Sequence, residues 1–266
     1  MYNAISKLKH QKRSYSQRRD ALNHWYCGYT GQQFLALAQP RLEALLADLF
    51  GYYLLQVGEL GSVDLLGQSR IKQRVILDDS GRVHPQPHPL LPCEVDKLSI
   101  VTDSVDVVVL PHTLEIHDNA HQILREVDRI LVPEGHVLVM GFNPYSLWGG
   151  TMWLQKSVGR LPWQGHFLSP GRVKDWLKLL GYEIEHMESY FYRPALRHPA
   201  LMDKLMWLER WGARYWPILG GGYILVARKQ VSTLTPIRPR WQVRRRLGSL
   251  GVAQSSMQRD HDSEES

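Results

Sequence analysis

Cysteine is nearly absent: Cys27 and Cys93 are the only two among 266 residues. Neither lies in a Cys-x-x-Cys pair or a Cys/His cluster, so the sequence carries no disulfide framework and no zinc site, and no metal is expected. Two lone thiols fit a reducing cytoplasm, the expected location. Long apolar runs are lacking as well. Val105 to Leu110 and Val137 to Met140 are strand-length, far short of the ~20 residues that span a bilayer. No apolar stretch of the secretory kind follows the basic start. The chain has no internal repeat.

A basic folded face is also missing, although the net charge is +6. Residues 1–20 hold six Lys/Arg against one acid, and residues 236–266 hold six Arg against four acids. The segment between them is close to neutral, so the basicity belongs to the ends. Such ends can add salt-dependent affinity for nucleic acid or anionic lipid; the favoured reading is a solvated extension. The expected organisation is a disordered segment 1–22, one domain 23–230 with an insertion at 144–168, and a disordered tail 231–266.

What is present alternates between two periods. From Gln32, apolar residues Phe34, Leu35, Ala38, Leu42, Leu45, Leu46 and Leu49 recur at helical spacing around Pro40. Strand-like runs follow at Tyr52 to Val57, Arg74 to Asp78, Val105 to Leu110 and His136 to Met140. Between the last two, Asp118 is placed to cap a helix with Ile123, Leu124, Val127, Ile130 and Leu131 on one face, ended by Pro133 and Gly135. Ser169-Pro170 starts another helix, closed by Gly181, before strands at Glu183 to Met187 and Tyr223 to Arg228. Strand–helix–strand order with short connections predicts right-handed βαβ units in a mostly parallel, doubly wound α/β sheet. Ligands of such sheets bind at the carboxyl ends of the strands, here Gly58–Gly61, Asp78-Asp79, Glu94–Lys97 and Leu110–Thr113.

The run Asp96 to Asp106, followed by His121-Gln-Ile-Leu-Arg-Glu-Val-Asp-Arg-Ile-Leu-Val-Pro-Glu-Gly135, resembles the corresponding motifs of class I S-adenosylmethionine-dependent methyltransferases of the type 11 domain. The resemblance extends over about Leu55 to Met187. It is nearest to a proteobacterial branch in which Gly-Phe-Asn-Pro-x-Ser follows the fifth strand, here Gly141 to Ser146. It implies a Rossmann-like, seven-stranded sheet and S-adenosylmethionine as cofactor. By position, Gly58, Glu59, Leu60 and Gly61 would hold its methionine end, as backbone N–H groups at a helix start suit a carboxylate. Asp78 or Asp79 would accept from the ribose hydroxyls, Glu94 from the adenine amino group, and Val95 would lie against the ring. Pro111 and Thr113 would approach the methyl group beside His112. The resemblance implies in-line methyl transfer to an acceptor nucleophile, with positioning as the main contribution.

His112, then His117, are the candidate bases near neutral pH; loop histidines are also commonly plain surface residues. Asn143 and Tyr145 would rim the acceptor site, Asn143 in a turn and Tyr145 as an aromatic wall. A small apolar or aromatic acceptor is favoured, and the sequence leaves the oligomeric state open. At their helical spacing Trp207, Trp211 and Trp216 are expected in the core, with an apolar substrate or a membrane surface as the alternative. In this sequence Gln56 stands at the family's acidic position, and Leu60 at its central glycine. The alternative reading is therefore an inert methyltransferase-like module that binds a ligand or partner. A nicotinamide dehydrogenase is set aside, because Gly58 to Val63 does not provide Gly-x-Gly-x-x-Gly.

Overall fold

The computed structural model describes residues 2–61, 63–79, 87–151, 165–194 and 204–230, with side chains from Tyr15 onward. Met1–Val231 is one compact unit; the expected tail 231–266 and most of the insertion lie outside the described residues. Seven strands form one sheet: β1 (Tyr53–Val57), β2 (Gln73–Asp78), β3 (Leu90–Pro92), β4 (Val105–Pro111), β5 (Leu131–Phe142), β6 (Tyr182–Tyr190) and β7 (Gly222–Lys229). Their order is β3-β2-β1-β4-β5-β7-β6. β7 runs antiparallel to both β5 and β6, while β1 to β5 are mutually parallel. The central strands are continuous apolar runs because both faces are covered: Val107 to Leu110 and Val137 to Met140 are all buried. The order reverses between β1 and β4, which puts the switch point at Val57 and Pro111.

Two helices precede the sheet, α1 (Tyr2–Cys27) and α2 (Tyr29–Ala47). The first corrects the expectation that residues 1–22 are disordered. Tyr15, Arg19, Leu22 and Tyr26 are buried at spacings of four, three and four, which is one helix face. Half of that stripe is polar or cationic, so apolar periodicity does not reveal it. α2 buries Phe34, Ala38, Leu42 and Leu46 and accommodates Pro40 within its length.

Elsewhere the differences are small. α3 is a single turn (Thr113–Ile116) after β4, and α4 (Ala120–Ile130) has Asn119 rather than Asp118 at its N-cap position, with no side-chain cap bond. Asp118 instead pairs with Arg18 at 2.7 Å. α4 also ends before Pro133, since Leu131 already pairs with Val105 while His136 pairs with Val107, so the residues between them bulge. α5 (Pro170–Leu179) starts at Ser169, whose hydroxyl accepts the Arg172 N–H as predicted. α6 spans Trp207–Tyr215.

An aromatic cluster joins the two N-terminal helices to the carboxyl edge of the sheet. Phe34 has ring neighbours at Tyr190 (4.9 Å), Phe191 (5.0 Å), Phe142 (5.1 Å), Trp25 and Trp148 (each 5.7 Å). Truncating such a fully buried ring loses both transfer energy and packing. Phe34→Ala is therefore expected to destabilise the domain by about 3–5 kcal/mol. Urea denaturation checks this; a loss near zero would mean that α2 does not hold the edge.

Candidate active site

β1 ends in a turn that brings Gly58 and Gly61 into left-handed backbone, φ +97° and +56°. This conformation is costly for any residue with a Cβ. Gly58 N–H donates to the Leu77 carbonyl at 2.7 Å, tying the turn to β2. Asp78 closes β2 with its side chain buried, and Glu59 is fully buried beside them. Leu60 is also fully buried and belongs to the apolar core. It is not what covers Gly58: a Cβ built there meets the Arg19 guanidinium at 2.1 Å and Thr113 Oγ1 at 2.6 Å.

Arg19 and Tyr15, both from α1, occupy the cleft. Arg19 donates to the Pro111 carbonyl (3.0 Å), to the Tyr15 hydroxyl (3.0 Å) and to Thr113 Oγ1 (3.2 Å). Its Nε lies 3.9 Å from Asp78 Oδ1. The Tyr15 hydroxyl donates to that same Asp78 oxygen at 2.8 Å. Thr113 Oγ1 in turn donates to the Val57 carbonyl. Burial acts to lower the Arg19 pKa, but Tyr15, Asp78 and Glu59 outweigh it and the group stays firmly cationic. Burial pushes the Tyr15 hydroxyl up, keeping it a neutral donor.

These contacts decide how the cleft relates to a nucleoside. The groups facing it have the right chemistry: a buried carboxylate at the end of β2, glycine backbone at β1, and carboxylates that favour a cation. The space does not fit, because α1 already fills it with a hydroxyl on Asp78 and a cation on Gly58. Of the residues expected from sequence, Gly58, Asp78, Pro111 and Thr113 meet around Arg19. Asp79 is half-buried on the His117 side and acts electrostatically on that ring. Glu94 is exposed with Lys97 at 4.0 Å, and Val95 packs in the core.

His112 is fully buried with left-handed backbone, φ +56°. Both ring nitrogens are engaged, Nδ1 with Glu115 at 2.9 Å and Nε2 with the Tyr26 hydroxyl at 2.7 Å. The ring stacks on Phe142 at 4.1 Å. His117 is buried beneath Tyr15 (5.7 Å, edge-on), and its Nδ1 accepts the Asn119 N–H at 3.1 Å. Burial lowers its pKa, against the opposing pull of Asp96 and Asp118. On the other side of His117 opens a cavity of about 430 Å³, walled also by His121, His166, Phe167, Arg172 and Trp176. Asn143 is a turn residue: its Nδ2 donates to the Ile218 carbonyl and its Oδ1 accepts the Tyr145 N–H. Tyr145 points outward, 74% exposed.

The residues that sequence reading missed are Tyr15, Arg19, Tyr26 and Glu115. Glu115 is buried in α3, accepts the Phe142 N–H at 2.7 Å through its carboxyl, and its own carbonyl accepts the His166 N–H at 2.8 Å. It thus anchors both ends of the insertion that follows β5.

The His112–Glu115 pair predicts a pH dependence. Burial, then the Arg19 charge, pushes His112 down from 6.5 to about 3. Burial raises Glu115 well above 4.5, against hydrogen bonds from Phe142 and Leu168. Unfolded, the two bind two protons below pH 4.5, one up to 6.5 and none above. Folded, they keep one proton from about pH 3 until Glu115 ionises. With rising pH, His112 therefore contributes a gain in stability between about 3 and 6.5, and Glu115 an opposing loss from 4.5 up to its own raised value, each with a slope of about 1.4 kcal/mol per pH unit. Glu115→Gln cannot titrate and should remove the opposing loss, so that stability rises with pH above 4.5 more steeply than in the wild type. Urea midpoints between pH 4.5 and 6.5 check this; the same pH dependence in both proteins would place its origin elsewhere.

Comparison with known proteins places this geometry. Residues 70–139 match the methyltransferase domain family. Over 210 residues the chain is 30% identical to the Escherichia coli protein YafS, covering 77% of this chain and 80% of that protein. A chain of the Haloferax volcanii complex between a methyltransferase and its activator superposes with TM-score 0.57 at 18% identity, covering 80% of this chain and 98% of that one. A Thermotoga maritima S-adenosylmethionine-dependent methyltransferase gives TM-score 0.53 at 16% identity, covering 79% and 99%. With this sheet order and these matches, the chain belongs to the class I S-adenosylmethionine-dependent methyltransferase superfamily.

Proposed function

We propose that this chain is an S-adenosylmethionine-dependent methyltransferase whose cofactor cleft is closed by α1 in the conformation described. One observation carries the reading. The cleft holds, from the chain itself, a hydroxyl bonded to the β2 carboxylate and a cation laid on the first glycine of the β1 turn. The family's cofactor brings the same two features, ribose hydroxyls and a positively charged centre. Asp78 would accept the hydroxyls, and Asp78 with Glu59 would balance the charge, once Tyr15 and Arg19 withdraw. The acceptor is a small molecule with apolar or aromatic character, held in the cavity beside His117 and Trp176. No metal is required by this reading. A base for the acceptor would come from His117, which borders both the cleft and the cavity, rather than from the fully engaged His112.

The inert module is the second reading, favoured by the same contacts if α1 never leaves. Calorimetric titration of the full chain with S-adenosylhomocysteine separates the two. The wild type should bind weakly, and Tyr15→Phe/Arg19→Met should tighten binding about tenfold or more. Asp78→Asn should abolish binding in either background. At a hundred times its dissociation constant, the ligand should add about 2.7 kcal/mol of stability to the opened variant. If the opened variant takes up no ligand at saturating concentration, the enzymatic reading is lost. If the double substitution weakens binding instead, α1 is part of the binding site and not its plug.

A further inference from the structure

The expectation that Trp207, Trp211 and Trp216 form a core stripe is overturned, and what replaces it is a surface. α6 packs inward through Gly212, where a Cβ would strike the Tyr192 ring at 2.3 Å. On the same inner side lies Glu209, which accepts from Arg193 Nε at 2.8 Å and from the Tyr192 N–H. Helical spacing then turns Trp207, Trp211 and Tyr215 away from the body as one shoulder. They are 48%, 55% and 58% exposed, with ring centroids 6.1 and 5.5 Å apart. Met206, Trp216, Ile218 and Leu219 extend the exposed apolar surface past both ends of the helix. Asn143, bonded to the Ile218 carbonyl, ties to this segment the turn that carries exposed Tyr145 and Leu147.

Among the described residues of this segment, the exposed charges have one sign. Lys204, Arg210 and Arg214 are exposed, and the only acid between residues 204 and 222 is Glu209, which is turned inward and paired. We infer that this face docks on an anionic lipid bilayer, with its aromatic shoulder in the headgroup–acyl boundary and its cations among the lipid phosphates. Tryptophan and tyrosine favour that boundary because each has an apolar body and a polar tip. Each basic side chain near an anionic surface contributes about fivefold in partition. Among the described residues no helix is long and apolar enough to cross a membrane, so the mode is lying on the surface. The inference does not depend on the methyltransferase reading.

The test is co-sedimentation of the full chain with vesicles of phosphatidylcholine alone and of phosphatidylcholine mixed with phosphatidylglycerol. Binding is expected to the mixed vesicles, to weaken with added salt, and to drop about tenfold or more in Trp207→Ala/Trp211→Ala. Arg210→Glu/Arg214→Glu should erase the preference for the anionic lipid. Both double variants alter exposed side chains only, and an unchanged thermal midpoint verifies that they fold. Binding that survives both variants, or no binding to anionic vesicles, overturns the proposal. So does a self-associated species in sedimentation velocity that Trp207→Ala/Trp211→Ala disperses, since the face would then belong to a second copy of this chain.

Discussion

A buried guanidinium governs the arrangement of the carboxyl edge of the sheet. Arg19 is 0% exposed, and removing a cation from water costs several kcal/mol even after relaxation. Its direct hydrogen bonds go to neutral groups, the Pro111 carbonyl, Tyr15 and Thr113. The nearest carboxylate oxygen, on Asp78, is 3.9 Å away. At that distance an ion pair in a protein interior is worth about 4 kcal/mol, comparable with the desolvation cost. From Asp78 alone gain and cost nearly cancel, and Tyr15 and Glu59 tip the balance towards the cation. The charge therefore specifies where α1 sits, because only this position gives the guanidinium its partners.

What does hold α1 is its other end. Leu22 and Tyr26 are buried, Trp25 packs edge-on to Phe34 and Phe142, and the Tyr26 hydroxyl meets His112. Along one helix face the partners thus change from apolar and aromatic at Leu22–Tyr26 to ionic at Tyr15–Arg19. A helix anchored in this graded way can release its first half while its second half stays packed. The same anchor keeps His112 engaged at both nitrogens, whereas His117 sits under Tyr15.

Much of the fold was legible because its strands are buried on both faces. Val105 to Leu110 and Val137 to Met140 read as strands with no help from context, and α4 shows its apolar stripe at helical spacing. The carboxyl-end positions Gly58, Asp78 and Pro111 followed from strand ends alone. Other features left no such trace. β3 is three residues long and hides next to a proline-rich stretch. Glu115 is one acid in a four-residue helix, and its role rests on groups far along the chain, Phe142 and His166. α1 reads as a basic tail because the residues it buries include an arginine and two tyrosines. The tryptophans of α6 show the limit from the other side: their spacing gives the helix, but which face is covered depends on Tyr192 and Arg193, which lie on another segment.

The departures from the family's usual first-strand turn become intelligible as charge balance. The family carries an acid in the strand, two residues before the first glycine; here that residue is Gln56, whose amide donates to the Gly58 carbonyl at 2.9 Å. The buried acid has moved to Glu59, just past the glycine, where it acts on Arg19 together with Asp78. Retaining an acid at position 56 as well would crowd a third carboxylate around one cation in a site closed to water. An uncompensated buried charge costs several kcal/mol, so a neutral amide there is the arrangement that leaves the turn stable. Leu60, standing in the glycine's place, packs into the core and leaves the surface of Gly58 to the Arg19 guanidinium.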